Sequence, residues 1–548
     1  MSQLAGFDQV VAISQWKINE DLEYRYATWK RSLQRFSAHS TDDKGGLMEA
    51  TLSAPTVEIY VPGEPQKAIF RLNFQDGHFD YAQGDTLQRL SMKGWSLAFL
   101  ASLPPSKITE DPSDLRPAIP DDVIHNIEKA GSYSLSQILI DLGTANVVEF
   151  NFARSVTPGL VASDDNDAPK KQALEKFMKT YLQELSRDGQ NVLGYSISVT
   201  DPSVANPNAP SFAPVSVSVQ TMPFADESNA TDETRNRNAL LFLEMLGNTA
   251  GQSAPRPAIP LSGSHAWIPE GEVGTMIVHK NVFWERFLAG HLIFFAIDAV
   301  RFANTIAHWL KAEDMKGDLP DDKPWILSED RPSADSWSTT DDHSAVFSWP
   351  GHNKVSTDIP SGIFEGIHKR EETWESAIAV GAEIVPGTHI IKIQTEIKYQ
   401  YTDYRYDAYL TGDPVTTHRV TKAKVRWEAN LAFKSAVNAA RLETDVKVQP
   451  PECYAEIDEA EHGIFGSLLE KRKVDEYMTE KVEKHLREKV KVEDITTSIN
   501  VGLQKYPPFV FSGGGTFFMK SPTFTSEYDL QVYLDTKMGR EKQREKGE

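Results

Sequence analysis

Apolar side chains recur along this chain at two different periods, and the switches between them lay out its elements. In the opening "FDQVVAISQWKINEDLEYRYATW" (residues 7–29) the large apolar residues after Val11 fall at Ile18, Leu22, Tyr26, Trp29, Leu33 and Phe36. Steps of three, four and seven put them on one face of a helix. Period-two runs follow. Val57, Ile59 and Val61 share a face in "APTVEIYV", and Ala68, Phe70, Leu72 and Phe74 oppose Lys67, Arg71 and Asn73 in "KAIFRLNF", the alternation of half-buried strands. "GWSLAFLASL" predicts another strand, and after a Pro-rich loop "SLSQILIDL" and "NVVEFNFA" read as a strand pair. The helical template returns almost complete at 170–187, on Leu174, Phe177, Met178, Tyr181, Leu182 and Leu185. Strands "NVLGYSISVT" and "PVSVSVQTM" and a short helix "NALLFLEML" complete the first half, and the Pro/Gly/Ser-rich "GQSAPRPAIPLSGS" marks a boundary.

The second half reopens with "GTMIVHKNVFWERFLAGHLIFFAIDAVRF" and repeats the plan of a long helix, polar loops, strands, a second long helix and terminal strands. Sliding it over the start sets Val278, Phe283 and Phe287 on Ile13, Ile18 and Leu22, with Glu285 on Glu20, the pattern of a duplicated plan. Two strands here are long. Ile391, Ile393, Thr395, Ile397, Tyr399 and Tyr401 alternate with polar residues in "IIKIQTEIKYQY", as do Thr421, Ala423, Val425, Trp427, Ala429, Leu431 and Phe433 in "TKAKVRWEANLAF". Runs of roughly 12 residues, about twice the usual strand length, predict a coiling sheet whose apolar face needs a cover. A helix at 464–490, striped by Leu468, Val474, Tyr477, Met478, Val482 and Leu486, is the expected cover, and its Lys/Glu face reads as solvated. "FVFSGGGTFFMKSPTFTSEYDLQVYL" predicts closing strands around a glycine turn, and residues 537–548 a disordered charged tail.

The expected class is therefore α+β. A length of 548 residues exceeds one ordinary core, and the repeated plan divides it into 1–262 and 263–536. The formal net charge of -21, with no segregated basic patch, excludes nucleic acid as a partner. A single cysteine, Cys453, excludes a disulfide framework and points to a reducing compartment. "MSQLAGFDQVV" has no basic segment followed by an apolar one, which predicts a cytoplasmic protein whose export would be non-classical. In "FLAGHLIFFAIDAVRFANTIAHWL" (287–310) His291, Asp298, Arg301 and Asn304 interrupt the apolar run, so it reads as a buried helix rather than a membrane span.

Local catalytic motifs are absent. There is no Gly-Lys for a phosphate loop, no His-Glu for a zinc helix and no GxSxG; "GYSIS" ends in Ser and lies in a predicted strand. "SGGGTFF" lacks the third glycine of a dinucleotide loop and reads as a turn. The pairs Asp164-Asp165, Asp321-Asp322 and Asp341-Asp342 do not follow calcium-loop spacing, and His343 and His352 fall in different segments. Cys453 reads as a buried structural thiol, with His462 nine residues on. No catalysis, metal or cofactor is expected.

Several stretches, in order over most of the chain, resemble the TULIP-like (tubular lipid-binding) superfamily, in particular the accessory proteins encoded beside clostridial neurotoxins, the 47-kDa protein and the OrfX group. They are "FDQVVAISQWKINEDL", "ATLSAPTVEI", "IFRLNFQDGHFDY", "GWSLAF", "SQILIDLGTA", "LGYSISV", "GTMIVHKNVFWERFL" and "FSGGGTFFMKSPTFTSEYDLQVYL". The resemblance implies two elongated modules, each a long curved antiparallel sheet around a long amphipathic helix, and a groove for an acyl chain or phospholipid. It carries over no catalytic residue. The expected groove residues on the two striped helices are Leu174, Phe177, Met178, Tyr181, Tyr477, Met478 and Val482. A bound lipid, a membrane surface or a protein such as a toxin are the partners this implies. The other expectation is a tube filled by its own side chains, acting as an accessory interaction protein.

Overall fold

The computed structural model describes residues 4–28, 34–39, 46–103, 105–107, 133–139, 149–161, 164–187, 191–199, 212, 214–225, 230–246, 261, 266–312, 337–341, 343–359, 367–408, 413–435, 442–463, 466–473, 475–489, 499–500, 509–511 and 517–536. Strand β1 (Gln9–Ser14) runs directly into helix α1 (Gln15–Thr28). Strand β2 (Lys67–Gln83) is followed by α2 (Ala168–Arg187), β3 (Pro214–Met222) and β4 (Ala239–Leu246). The second half opens with β5 (Gly274–Val278), a π-helical run Val282–Leu288 and α3 (Ala289–Lys311). Then come β6 (Ser344–Ile359), β7 (Ile367–Ile384), β8 (Ile390–Ala408), β9 (Val415–Ser435), β10 (Glu452–Gly463), α4 (Asp475–Lys489), β11 (Phe517–Phe524) and β12 (Leu530–Thr536). The fold is mostly curled antiparallel sheet with a few helices.

A six-stranded sheet in the order β3-β4-β1-β5-β12-β11 takes three strands from each half of the chain. Its centre is symmetric. Val11 pairs with Met276, flanked by Ile13–Gly274 and Gln9–Val278, and Met276 is also the residue that falls on Val11 when Val278 is slid onto Ile13. On each side the first strand of a half is flanked by that half's last strand and then by its penultimate one. The strand order and the β1–β5 register are thus related by a local two-fold at the seam.

The seam corrects two helical readings. Residues 9–14 are strand and the helix begins only at Gln15; "ALLFLEML" is strand β4, buried along its whole length. Both have apolar residues on consecutive positions because both faces of this sheet are covered. Val11, Ile13, Leu240 and Phe242 enter the main core, whereas Val10, Ala12, Leu241 and Leu243 enter a second core closed by Leu4, Phe7, Leu261, Trp267 and Ile268. A short run apolar on every position has no period with which to tell strand from helix. Leu261, from the expected boundary segment, is fixed here by paired hydrogen bonds with the Gln220 side chain.

The first half adds a seven-stranded sheet around β2, in which Ala68, Phe70, Leu72 and Phe74 face inward as expected. Among the described residues Glu149–Phe150 pairs with Ser96–Ser102 and not with Tyr133–Leu139, which departs from the expected strand pair. Tyr133–Leu139 instead joins Val192–Val199, which also pairs with Phe509–Phe511 of the second half.

The largest sheet has eight strands: Trp337–Asp341, β6, β7, β8, β9, β10 and Gly466–Lys473 in order, with Leu442–Val448 on the end of β9. Its four central strands have 16, 18, 19 and 21 residues, longer than the runs read from sequence. The expected inward positions of β8 and β9, Ile391 to Tyr401 and Thr421 to Phe433 at every second residue, are all buried. Beyond Glu428 the edge of β9 changes partner from β10 to Leu442–Val448, which lets the sheet curl. The expected helix at 464–490 is also corrected. Gly463 pairs with Gly466 across the antiparallel register, Gly466–Lys473 (with Leu468) is strand, and the helix starts at Asp475. The glycine pair was the overlooked breaker.

Candidate functional site

The inner face of the eight-stranded sheet is covered chiefly by α3, with α4 beside it against β10. Three contacts tie the helical segment 283–312 to β9: Phe283 of the π-helical run against Phe433 (centroids 5.4 Å apart), Phe302 of α3 against Trp427 (5.8 Å), and Arg419 donating to the carbonyl of Ala312 just past α3 (3.0 Å). The helix packs chiefly across β7 and β8 and reaches β9 through these contacts. Leu292, Ala296, Val300, Ala303 and Ile306 are buried beneath it. The sheet side of this lane is Trp374, Ile378 and Val380 of β7, Ile393, Ile397 and Tyr399 of β8, and Val425 and Trp427 of β9. His485 of α4 stacks on Phe302 (4.7 Å), joining the two covering helices. No helix among the described residues is long and apolar enough to cross a membrane; α3 spends its apolar surface on the sheet.

The lane turns polar at its Ala312 end, where inward positions carry charge. Glu372 accepts from Lys311 (3.0 Å), Arg370 (3.3 Å) and the Tyr401 hydroxyl (2.7 Å). Asp403 accepts from Arg370 (2.9 Å) and Arg405 (3.0 Å). Burial alone would raise the Asp403 carboxyl, but these two guanidinium hydrogen bonds outweigh it and hold it low. Burial pushes the Tyr399 and Tyr401 hydroxyls well up, so both stay neutral donors.

The residues expected to line a groove fall into two groups. Leu174, Phe177, Met178 and Tyr181 share the buried face of α2, packed on β2 and Arg35–His39, with Tyr181 edge-on to Phe36 (4.5 Å). Phe36 also lines an open, largely polar cleft of about 920 Å³ with Arg35, Glu49, Asp76 and His78. Met478 and Val482 lie on α4 and are fully buried; Tyr477 is on the same helix, its side chain outside the described residues. The structure therefore sets them under different sheets; α3, expected as a buried helix, was not among the expected groove elements, and the polar cluster at its Ala312 end was missed. The available signal was the period-two register itself: Asp403 and Arg419 continue the inward rows of β8 and β9 as charges.

Other chemistry is dispersed. Among the described residues no three His, Cys, Asp or Glu side chains gather closely enough to hold a metal ion. Cys453 is half-buried, and burial pushes its thiol up to about 11 despite a hydrogen bond with Thr479. On the main-core face of the six-stranded sheet, Gln9 Nε2 donates to Glu244 Oε2 at 2.5 Å. Burial pushes that carboxyl up to about 8. A second cleft of about 250 Å³ is lined by Glu58, Arg71, Arg154, Arg235 and Asn238; Glu58 pairs with both Arg71 (3.1 Å) and Arg154 (3.3 Å).

No protein-family model and no curated protein matches the sequence. Among solved structures the chain is similar to P47 of Clostridium botulinum E1, at 11% identity and a TM-score of 0.40, over 96% of this chain and 98% of that one. It is also similar to lipopolysaccharide binding protein, at 11% identity and a TM-score of 0.31, over 97% and 99% of the two chains. P47 belongs to the group singled out from the sequence motifs.

Proposed function

We propose that this protein binds or transfers an amphiphilic lipid, holding its acyl chain between α3, α4 and the inner face of the eight-stranded sheet, without catalysis or a resident cofactor. The observation that carries this reading is the lane between α3 and the inner face of the eight-stranded sheet, apolar along most of its length and charged at one end. Each methylene transferred into such a lane contributes about 0.8 kcal/mol. In this reading the chain comprises two TULIP-like modules, 1–262 and 263–536, joined at the β1–β5 seam. Leu174, Phe177, Met178 and Tyr181 serve the first, and Tyr477, Met478 and Val482 the second. The test is lipid extraction and native mass spectrometry of the purified chain. A protein that carries no lipid and takes up no fluorescent acyl probe sinks the proposal.

A second reading, an accessory protein with a filled tube that docks a protein partner such as a toxin, is favoured by one fact. Leu174, Met178, Tyr181, Met478 and Val482 are each 2% exposed or less, which is the packing of a core. Pulldown with the purified chain, set against the lipid result, separates the two.

A further inference from the structure

Four buried polar atoms on adjacent registers of the inner sheet face have no hydrogen-bond partner: Trp374 Nε1, Tyr399 Oη, Thr421 Oγ1 and Arg419 Nε. Trp374 of β7 lies opposite Tyr401 of β8, which lies opposite Thr421 of β9; Tyr399 and Arg419 occupy the inward positions one step to either side. The four side chains are 2%, 4%, 0% and 6% exposed, and a buried polar group left unpaired is costly. Arg419 adds a charge. Among the described residues its guanidinium donates to the Ala312 carbonyl and pairs with no carboxylate. The nearby carboxylates are already committed, Glu372 to Lys311 and Arg370, Asp403 to Arg370 and Arg405. Asp403 lies opposite Arg419 in the register, but its carboxylate is engaged by Arg370 and Arg405, so the Arg419 guanidinium has no ion pair of its own among the described residues, a costly state for a buried charge.

All four groups can donate, and two of them, the indole and the guanidinium, can only donate. Their common complement is an acceptor-only oxygen group, and the Arg419 charge makes it anionic. We infer that this corner binds the anionic oxygen head, carboxylate or phosphate, of an amphiphile whose chain runs along the lane past Trp427 towards Phe433. The inference rests on the proposed lipid function and names the head group that this site takes. Arg419 supplies the charge, Thr421 and Tyr399 hydroxyl donors, and Trp374 a donor at the edge; Lys311, 5.2 Å from the Trp374 ring centroid, closes the end of α3 over the site.

The experiment uses the full chain stripped of lipid on a hydrophobic resin, titrated with a long-chain fatty acid, the methyl ester of the same acid, and inorganic phosphate, reading intrinsic tryptophan fluorescence and Tm. The acid is expected to bind about ten- to a hundredfold more tightly than the ester, the range of charge-assisted hydrogen bonds. Thr421→Val and Tyr399→Phe remove only unpaired hydroxyls, so both are expected to fold with unchanged or higher Tm without ligand, while the preference for acid falls severalfold. Arg419→Gln abolishes it. Acid and ester binding equally overturns the head-group inference and leaves the lipid function standing. Neither binding overturns the lipid function itself. Phosphate raising Tm while the fatty acid is inert overturns the assignment to an amphiphile.

Discussion

Replacing Glu244 by Gln should make the protein more stable at neutral pH, and by an amount that depends on pH in a defined way. Glu244 is 1% exposed in the centre of the six-stranded sheet, and its Oε1 and the Oε1 of Gln9 have no hydrogen-bond partner. Burial pushes the carboxyl up to about 8 from an ordinary value of 4.5. Between those two values the unfolded chain has released the proton and the folded chain keeps it. The folded state then binds one proton more, so this group makes stability fall as pH rises, by about 1.4 kcal/mol per unit. Its contribution is favourable below about pH 4.5 and is lost progressively up to about pH 8, several kcal/mol in all. Gln has nothing to titrate, and its Nε2 can donate to the open Gln9 Oε1. Urea unfolding of both proteins at pH 5.5, 6.5, 7.5 and 8.5 isolates the term, because every other group cancels in the difference. The variant should gain about 2–4 kcal/mol at pH 7.5, and the gain should shrink steadily towards pH 5. Parallel stability curves, or a variant weaker at pH 7.5, would refute the burial argument.

Three further outcomes follow from particular contacts. Asp403→Asn should cost about 2 kcal/mol at pH 7, below the ~3–5 kcal/mol of a wholly buried pair because Arg370 is 31% exposed; since the Asp403 carboxyl is held low, the deficit against wild type should persist to about pH 4 and close only in stronger acid, read by thermal unfolding. Cys453, its thiol raised by burial, should react with a soluble disulfide reagent at pH 7.5 at least tenfold more slowly in the native protein than in urea. Gly77→Ala should lose about 1–3 kcal/mol, because Gly77 has φ +145 and a Cβ there would sit 2.6 Å from the Glu49 carbonyl oxygen; unchanged denaturant midpoints would contradict it.

How far the fold could be read from the sequence depended on how many faces of each element are covered. The long strands β8 and β9 have one wet face, so Lys392 to Gln400 and Lys422 to Asn430 preserve the alternation and every inward residue was legible. α2 was equally clear, since Lys171, Glu175 and Lys179 mark its outer face. β1 and β4 are covered on both sides, which erases the period, and propensity then read helix through them. The site was less legible than the fold, because a stripe such as Met478, Val482 and Leu486 says that a face is buried but not whether protein or ligand buries it. Arg419 was the sharper clue. Charge at an inward register contradicts the strand pattern, and such contradictions collect where a chain meets something other than itself.

The two sides of the β1–β5 seam differ in chemistry, and the difference makes the proposed duplication testable. By the two-fold, Gln9 opposite Glu244 corresponds to Gly274 opposite Leu534. One corner carries a buried acid–amide pair; the other has an apolar side chain over a glycine. In the second, a Cβ on Gly274 would lie 2.6 Å from the Ala12 carbonyl oxygen and 3.4 Å from Leu534 Cδ1, so the glycine is required by close approach of backbone. Gly274→Ala should therefore destabilise by about 1–3 kcal/mol. The reciprocal double variant Gln9→Gly with Glu244→Leu copies the glycine–leucine corner onto the acid–amide one. It replaces both members of the buried polar pair by apolar or absent groups, a change that is nearly neutral or stabilising where breaking one member is not. It should fold with at least wild-type stability at pH 7.5 and without the Glu244 pH slope, whereas Gln9→Gly alone should lose about 1–3 kcal/mol from the unpaired carboxyl. If the double variant is less stable than the Gln9 single variant, the two corners are not equivalent environments, and the seam is a chance pairing of similar strands rather than the trace of a duplicated plan.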